Sequence, residues 1–590
     1  MTESTAIKSP ESTKINTNIL YQVGMSQPTS HLFEVTLNLT NWQKDRLDLK
    51  MPVWTPGSYL VREYARHLQD FSAEDSSSQQ YLSSKKLSKN HWQIDTKDSS
   101  DITINYRVYA NDLTVRTNHL DATHGYFNPA ALLMFIPGFT DKPITVKIVP
   151  TQADWQISTT LPSVPKATNT YLAQDFDTLV DTPFEIGTQK VWDFEVLGKP
   201  HQFVLWGQGN LNRQQIIQDT KKIIETEAEL FGGLPYSKYM FLLHLSGSGY
   251  GGLEHKDCCT LNYPRLGFRD KDKYNRFMQL VAHEFFHLWN IKRIRPQALE
   301  TFDYEQENYT SSLWFSEGTT SYYDILIPLR SGIYNRKKFL ENLSKDLTRY
   351  LTIPGRNVQP LGESSFDAWI KLYRRDGYSD NNQISYYLKG QFVSLLLDLL
   401  IREQHHNQRS LDDVMRLMWE RFGKDEIGFT PQQLQKTIEE IAEQDLSEFF
   451  HSYLETTVEL PFDDYLKPFG LRVKPIQDKE PVPHLGLKVN TENNREVIKF
   501  VEANSPAELA GINLGDELLA IAGIKVKSGG LNEHLKNYQP GDRISVTIFH
   551  QDELITFPVK LTEPRAVRYE IVQCDNLSEQ QKHNLAGWLG

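Results

Sequence analysis

Val281-Ala282-His283-Glu284-Phe285-Phe286-His287-Leu288-Trp289-Asn290 carries a His-Glu-x-x-His pattern inside an apolar run. Residues four apart lie one above the other on a helix face, so both imidazoles can point at one ion. Phe285, Phe286, Leu288 and Trp289 leave few polar faces, which predicts a buried helix. Two histidines and a glutamate buried there are costly unless a cation or partner satisfies them. Zinc in a hydrolytic site takes three protein ligands and lowers the pKa of water at its open position to about 7. One Zn2+ at His283 and His287 leaves Glu284 beside it as a general base, so a distant residue must supply the third ligand. Leu313-Trp314-Phe315-Ser316-Glu317-Gly318 offers a carboxylate in similar apolar surroundings. Glu305 and Glu307 are nearer in sequence and compete for the same place.

The 590 residues are enough for three or four domains with sizeable cores. A net charge of -12 argues against a phosphate-binding surface, so nucleic acid is not expected as a partner. The short basic cluster Lys292, Arg293, Arg295 reads as a solvated helix end. Without an apolar leader among the first 18 residues or a run of eighteen apolar residues later, a cytoplasmic protein with no membrane anchor is expected. Cys258, Cys259 and Cys574 cannot form a disulfide framework, and the first two read as small buried residues.

The sequence predicts a multidomain α+β chain. Residues 1–18 are expected to be disordered. Residues 19–205 show short alternating runs, such as Leu32 to Leu37 and Ile102 to Val108, and predict an antiparallel, sandwich-like β domain. Within it, Met51-Pro52-Val53-Trp54-Thr55-Pro56-Gly57-Ser58-Tyr59 reads as a loop, either scaffolding or one wall of a cleft. Residues 206–470 change to a helical period and predict a mainly helical domain around a small sheet. One helix starts near Asn212 and ends at Gly232-Gly233; others cover Gln391 to Gln404 and Ser410 to Phe422, and a further one opens at Thr430-Pro431. A linker is expected near Pro475 to Pro483. Alternation returns over 476–565, and 566–590 reads as a helical tail.

Gly247, Gly249 and Gly252 satisfy Gly-x-Gly-x-x-Gly after the strand Tyr239 to Leu245. A dinucleotide site would require a helix to open there, but Asn262, Tyr263, Pro264 and Gly267 follow instead. Gly251-Gly252-Leu253-Glu254-His255 reads better as a backbone edge that an extended substrate approaches closely, with Glu254 able to hold an ammonium group. The plain alternative for Glu254 is a surface carboxylate on a turn, and for Tyr386-Tyr387 a buried aromatic pair.

These motifs together resemble the glycyl aminopeptidases, metallopeptidase family sixty-one of the gluzincin clan, over nearly the whole chain. Ser505-Pro506-Ala507 and Leu514-Gly515-Asp516 give residues 476–565 the look of a PDZ domain. The resemblance implies a thermolysin-like zinc domain that removes N-terminal residues, glycine first and then alanine, from peptides with a free N-terminus. It implies His283, His287 and Glu317 as ligands and Glu284 as base, although the gap to Glu317 is longer than in better-known gluzincins. Tyr387, in Tyr387-Leu388-Lys389-Gly390, would donate to the oxyanion, and Glu254, flanked by Gly251 and Gly252, would anchor the amine. His255 stands where relatives carry asparagine. The PDZ-like unit could take a peptide C-terminus. Two other readings are a zinc endopeptidase using the same site and a catalytically weak PDZ scaffold; an intact Glu284 argues against the latter.

Overall fold

The computed structural model describes residues 17–477 and 479–590. Most of the expected disordered segment, residues 1–16, lies outside the described residues, and Asn18 opens the first strand.

The N-terminal body is built on strands whose alternation sends every second side chain inward. In Leu32–Thr40, the buried side chains are Phe33, Val35, Leu37 and Leu39. This strand pairs antiparallel with Ile102–Tyr109, Phe33 opposite Val108 and Leu37 opposite Ile104. Six strands form the main sheet, with three- and four-stranded sheets beside it. One pair departs from the expected antiparallel domain: Asn18–Gly24 runs parallel to Ile144–Val149. Periodicity reports which face of a strand is buried and carries no information on the direction of a partner so far along the chain.

The expected boundary at 205 also moves. The hairpin Lys190–Val196 and Lys199–Trp206 joins Tyr239–Ser246, Cys258–Pro264 and Gly251–Glu254 in one mixed five-stranded sheet. Lys199–Trp206 pairs parallel with Tyr239–Ser246, and Phe203 stacks on Phe241 at 4.8 Å. Residues 190–206 therefore belong to the central, mainly helical body. Cys258 and Cys259 sit buried on an inner strand of this sheet. Where a dinucleotide fold would open a helix, the chain forms the edge strand Gly251–Glu254 instead.

Three helices position the site. Helix α1, Arg213–Phe231, is capped by Asn212 and stopped by Gly232 in the left-handed region at φ 79°. Helix α2, Lys271–Phe286, starts at Asp270, whose side chain accepts from Lys273 N. Phe286 in its last turn stacks on Tyr323 at 4.6 Å, and Trp289, just beyond the helix, stacks on Phe231 at 4.5 Å. Helix α3, Tyr386–Gln404, is capped by Ser385 and begins before the expected Gln391. Gly390 looks like a break in sequence but serves close packing, since a Cβ at Gly318 would meet Gly390 Cα at 2.5 Å. That contact brings Glu317 and Tyr387 to one place.

The basic cluster is not solvated. Lys292 and Arg293 are buried; Lys292 Nζ lies 2.6 Å from Asp181, and Arg293 Nη1 donates to Leu288 O at 2.9 Å. The end of α2 leaves carbonyls that need donors, and an arginine just beyond it supplies them.

The C-terminal unit is a sheet of strands with Ser505 capping a short helix, Pro506–Ala510. Its strand Leu487–Glu492 lies at the sheet edge. The start of the expected linker and the first part of the expected helical tail are corrected, while the helix expected at the end of the tail is present. Leu471–Ile476 is a strand that pairs antiparallel with Arg568–Gln573, Pro475 standing opposite Tyr569. A proline is tolerated there because a two-stranded sheet is all edge. The helix Glu579–Leu589 then docks on the central body, with Trp588 Nε1 donating to Tyr322 Oη at 2.9 Å and Arg402 Nη1 to Gly587 O at 3.0 Å. The PDZ-like unit is thus inserted between two strands of the central body.

Candidate active site

His283 lies in the last turn of α2 and His287 is its C-cap residue. Their Nε2 atoms are 3.1 Å apart. Glu317 comes from an unusual turn, Trp314–Thr319, wound more widely than an α-helix. Such π-type turns often mark functional sites. Glu317 Oε2 stands 3.1 Å from His287 Nε2 and 3.6 Å from His283 Nε2. Donors bound at about 2.0–2.2 Å around a tetrahedral ion stand about 3.3 Å apart, so this spacing fits a shared cation. Glu317 Oε2 is buried and makes no hydrogen bond among the described residues. Two imidazole nitrogens and one carboxylate oxygen form a donor set that suits Zn2+. Of the rival carboxylates, Glu305 pairs with Lys50 at 2.7 Å and Glu307 lies outside the cluster.

Two side chains that had no assigned role hold this arrangement. Asp324 Oδ2 accepts from His283 Nδ1 at 2.9 Å, and Asn290 O accepts from His287 Nδ1 at 2.8 Å. Each bond leaves the ring's Nε2 facing the cluster. The Asn290 side chain donates to Phe315 O, Ser316 O and Thr320 Oγ1 at 3.0–3.1 Å, tying the end of α2 to the turn that carries Glu317. Asp324 follows Glu317 by seven residues, two helical turns, and that spacing was the available signal.

Glu284 lines the same cavity as this cluster and lies against the edge strand. A Cβ on Gly252 would meet Glu284 Cδ at 2.1 Å, so glycine is required for the carboxylate to lie there. Glu254 is buried, at 4% exposure, and its Oε1 has no hydrogen-bond partner among the described residues. The loop expected as a cleft wall closes on it: Gly57, at φ 83°, would bring a Cβ within 2.6 Å of Glu254 Oε1. His255 turns away to Asp181, 3.3 Å from its Nδ1.

The cavity holds about 870 Å³ and is lined by Gly251, Gly252, Glu254, His283, Glu284, His287, Glu317 and Tyr387, along with Arg116. Tyr387 lies in the first turn of α3, its ring 6.2 Å from that of His283 and its hydroxyl 3.1 Å from that of Tyr373. Arg116 reaches in from the N-terminal body, and its Nη2 donates to Gly252 O at 3.2 Å. No motif marks Arg116 or Tyr373.

Charge is balanced within this pocket. Burial raises the Glu284 carboxyl to about 7, the neighbouring histidines opposing and Glu254 reinforcing the shift. Burial would also raise Glu317, but His287 and His283 outweigh it and hold it at about 2. Burial, followed by the charge of Glu317, pushes the Tyr387 phenol well above its usual range, so it remains a hydrogen-bond donor at neutral pH.

A family model for the M61 glycyl aminopeptidase matches residues 276–393, one for the Peptidase M61 N-terminal domain matches 20–188, and one for a PDZ domain matches 483–561. A solved structure described as an aminopeptidase N family protein, from Idiomarina loihiensis, is 32% identical, covers 97% of this chain and 100% of its own, and superposes with a TM-score of 0.90. An M1 zinc metallopeptidase from Deinococcus radiodurans is 11% identical over 76% of this chain and 96% of its own, TM-score 0.46. Native yeast LTA4 hydrolase is 12% identical over 77% and 70%, TM-score 0.46. No curated protein matches the chain at a significant level.

Proposed function

This chain belongs to the M61 glycyl aminopeptidase family and is a metallopeptidase, and from that premise we propose that it removes the N-terminal residue, Gly first and then Ala, from peptides, using one Zn2+ and Glu284 as general base. The observation that carries the exopeptidase reading is Glu254, a buried carboxylate with an unpartnered oxygen, on an edge strand beside Glu284 and backed by the Gly57 loop. Such an oxygen calls for a cation, and a substrate ammonium group supplies one.

His283, His287 and Glu317 would hold the ion. Bound there, Zn2+ supplies Lewis-acid chemistry, lowering the pKa of water and polarising a carbonyl oxygen. Glu284 takes the proton of the attacking water and returns it to the leaving amine, a role suited to a carboxylate raised toward neutrality. The Tyr387 phenol donates to the oxygen on which charge develops. Glu254 holds the substrate amine while the edge strand offers Gly251 and Gly252 backbone to the extended chain, so that the first peptide bond is the one brought to Glu284. Asp324 keeps His283 in the tautomer whose Nε2 faces the cluster. In the same reading, the PDZ-like unit takes a peptide C-terminus along the open edge of Leu487–Glu492.

A panel of aminoacyl reporter substrates tests this directly. Hydrolysis should be fastest for glycyl and next for alanyl reporters, should vanish with a chelator and should return with Zn2+. Activity indifferent to the chelator, or highest on bulky aliphatic residues, rejects the reading.

A further inference from the structure

We propose that the protein carries a second divalent-metal site, formed by His119, Asp121 and His124 in the N-terminal body, with Glu185 orienting His124. One ligand atom from each of these three residues lies within 4.8 Å of the others, a grouping that among the described residues recurs only at His283, His287 and Glu317. The proposal is independent of what the catalytic site does.

The local sequence builds the site from a hairpin. His119–Leu120 pairs with His124–Phe127, and Asp121 starts the turn between them. Asp121 Oδ1 accepts from Thr123 N at 2.7 Å, Thr123 Oγ1 at 2.6 Å and His124 N at 3.2 Å. That fixes the carboxylate and leaves Oδ2 hydrogen-bonded to His119 Nε2 at 3.2 Å. The distance matches the donor spacing in the catalytic cluster and the roughly 3.3 Å expected between ligands of a tetrahedral ion.

His124 supplies the independent observation. It is fully buried, its ring stacks on Trp206 at 3.9 Å, and its Nδ1 donates to Glu185 Oε1 at 2.7 Å. Nε2 is then the ring atom carrying a lone pair, and it has no hydrogen-bond partner among the described residues. A buried acceptor left in that state is destabilising, and a cation satisfies it. A carboxylate that holds one nitrogen of a histidine whose other nitrogen binds metal is the usual supporting arrangement at such sites. Both oxygens of Glu185 are already hydrogen-bonded, Oε1 to His124 and Oε2 to His244 at 2.9 Å. His119 and Asp121, paired with each other, bring two further donor groups beside His124 that the Glu185 network does not use.

Two imidazoles and one carboxylate favour Zn2+ over Ca2+ or Mg2+. Part of Asp121 is exposed, so water can complete the coordination. The ion would clamp the segment that also carries Arg116 into the active cleft.

The test is metal content of the full chain by mass spectrometry after loading with Zn2+ and desalting. Wild type should retain about two ions per chain. His119→Gln and Asp121→Asn, at partly exposed positions, should each retain one; His287→Ala should also retain one, and His287→Ala combined with His119→Gln none. A wild type with a single ion that His287→Ala removes completely overturns the proposal, as does a His119→Gln variant that keeps both ions. A single ion lost in His119→Gln and kept in His287→Ala supports the second site while rejecting zinc at the catalytic one.

Discussion

Replacing Gly252 by alanine separates the position of the general base from every other part of the site. The added Cβ would stand 2.1 Å from Glu284 Cδ and 2.4 Å from its Cγ, against an ordinary contact of 3.4–4 Å. The carboxylate must therefore move by about 1.3 Å or more, and a misplacement of about 1 Å costs on the order of 10²-fold in rate. The group that must yield is the far end of a flexible side chain, and Gly252 does not occupy the left-handed region, so folding should be little affected. His283, His287 and Glu317 are untouched, and metal content should remain that of wild type. Gly252→Ala is thus expected to lower kcat/KM on a glycyl reporter by about 10²-fold, with wild-type zinc content and a thermal midpoint within a few degrees. Unchanged kcat/KM would refute the placement of Glu284 as base.

Other substitutions probe other links. Glu284→Gln should retain metal and lose about 10²–10⁴-fold in kcat, measured at saturating substrate; full activity would remove it from the mechanism. Asp324→Asn weakens the charge behind His283 and should reduce Zn2+ affinity about 10–100-fold in a chelator competition. Lys389 is fully buried, its Nζ has no partner among the described residues, and burial lowers its pKa from 10.5 to about 8. The charged form is disfavoured in the folded state, so its cost is fully present below about pH 8, shrinks as pH rises and disappears above 10.5. Lys389→Met should therefore be more stable than wild type by about 3 kcal/mol at pH 7, with the gap closing near pH 10.5 in urea unfolding; equal stability at pH 7 would contradict this.

What the sequence disclosed depended on whether a signal was local. His283, Glu284 and His287 lie within five residues on one apolar helix, so spacing alone implied their geometry. Glu317 and Tyr387 stand in short motifs, but what unites them is the contact of Gly318 with Gly390, and Gly390 reads as a break in a helix until its partner is known. Arg116 left no trace because it enters the cleft from the N-terminal body through a loop without periodicity. Lys292 looked solvated because a charge run says nothing of Asp181, more than a hundred residues earlier, which meets it. Asp324 was the accessible omission, since its place two turns beyond Glu317 could have been read as a support for one of the histidines. Arg568–Gln573 is not legible as a strand because its partner, Leu471–Ile476, is separated from it by the whole PDZ-like unit.

The central claim is that a buried Glu254 anchors a free amine and thereby makes the enzyme an exopeptidase. Its most direct test is kcat/KM for one peptide with a free N-terminus and the same peptide N-acetylated, in wild type and in Glu254→Ala. Truncating one partner of a buried charge pair costs about 2–5 kcal/mol, so the free peptide should be favoured by about 10² or more in wild type, with that preference largely lost in the variant. Equal hydrolysis of the two peptides by the wild-type protein would contradict the account.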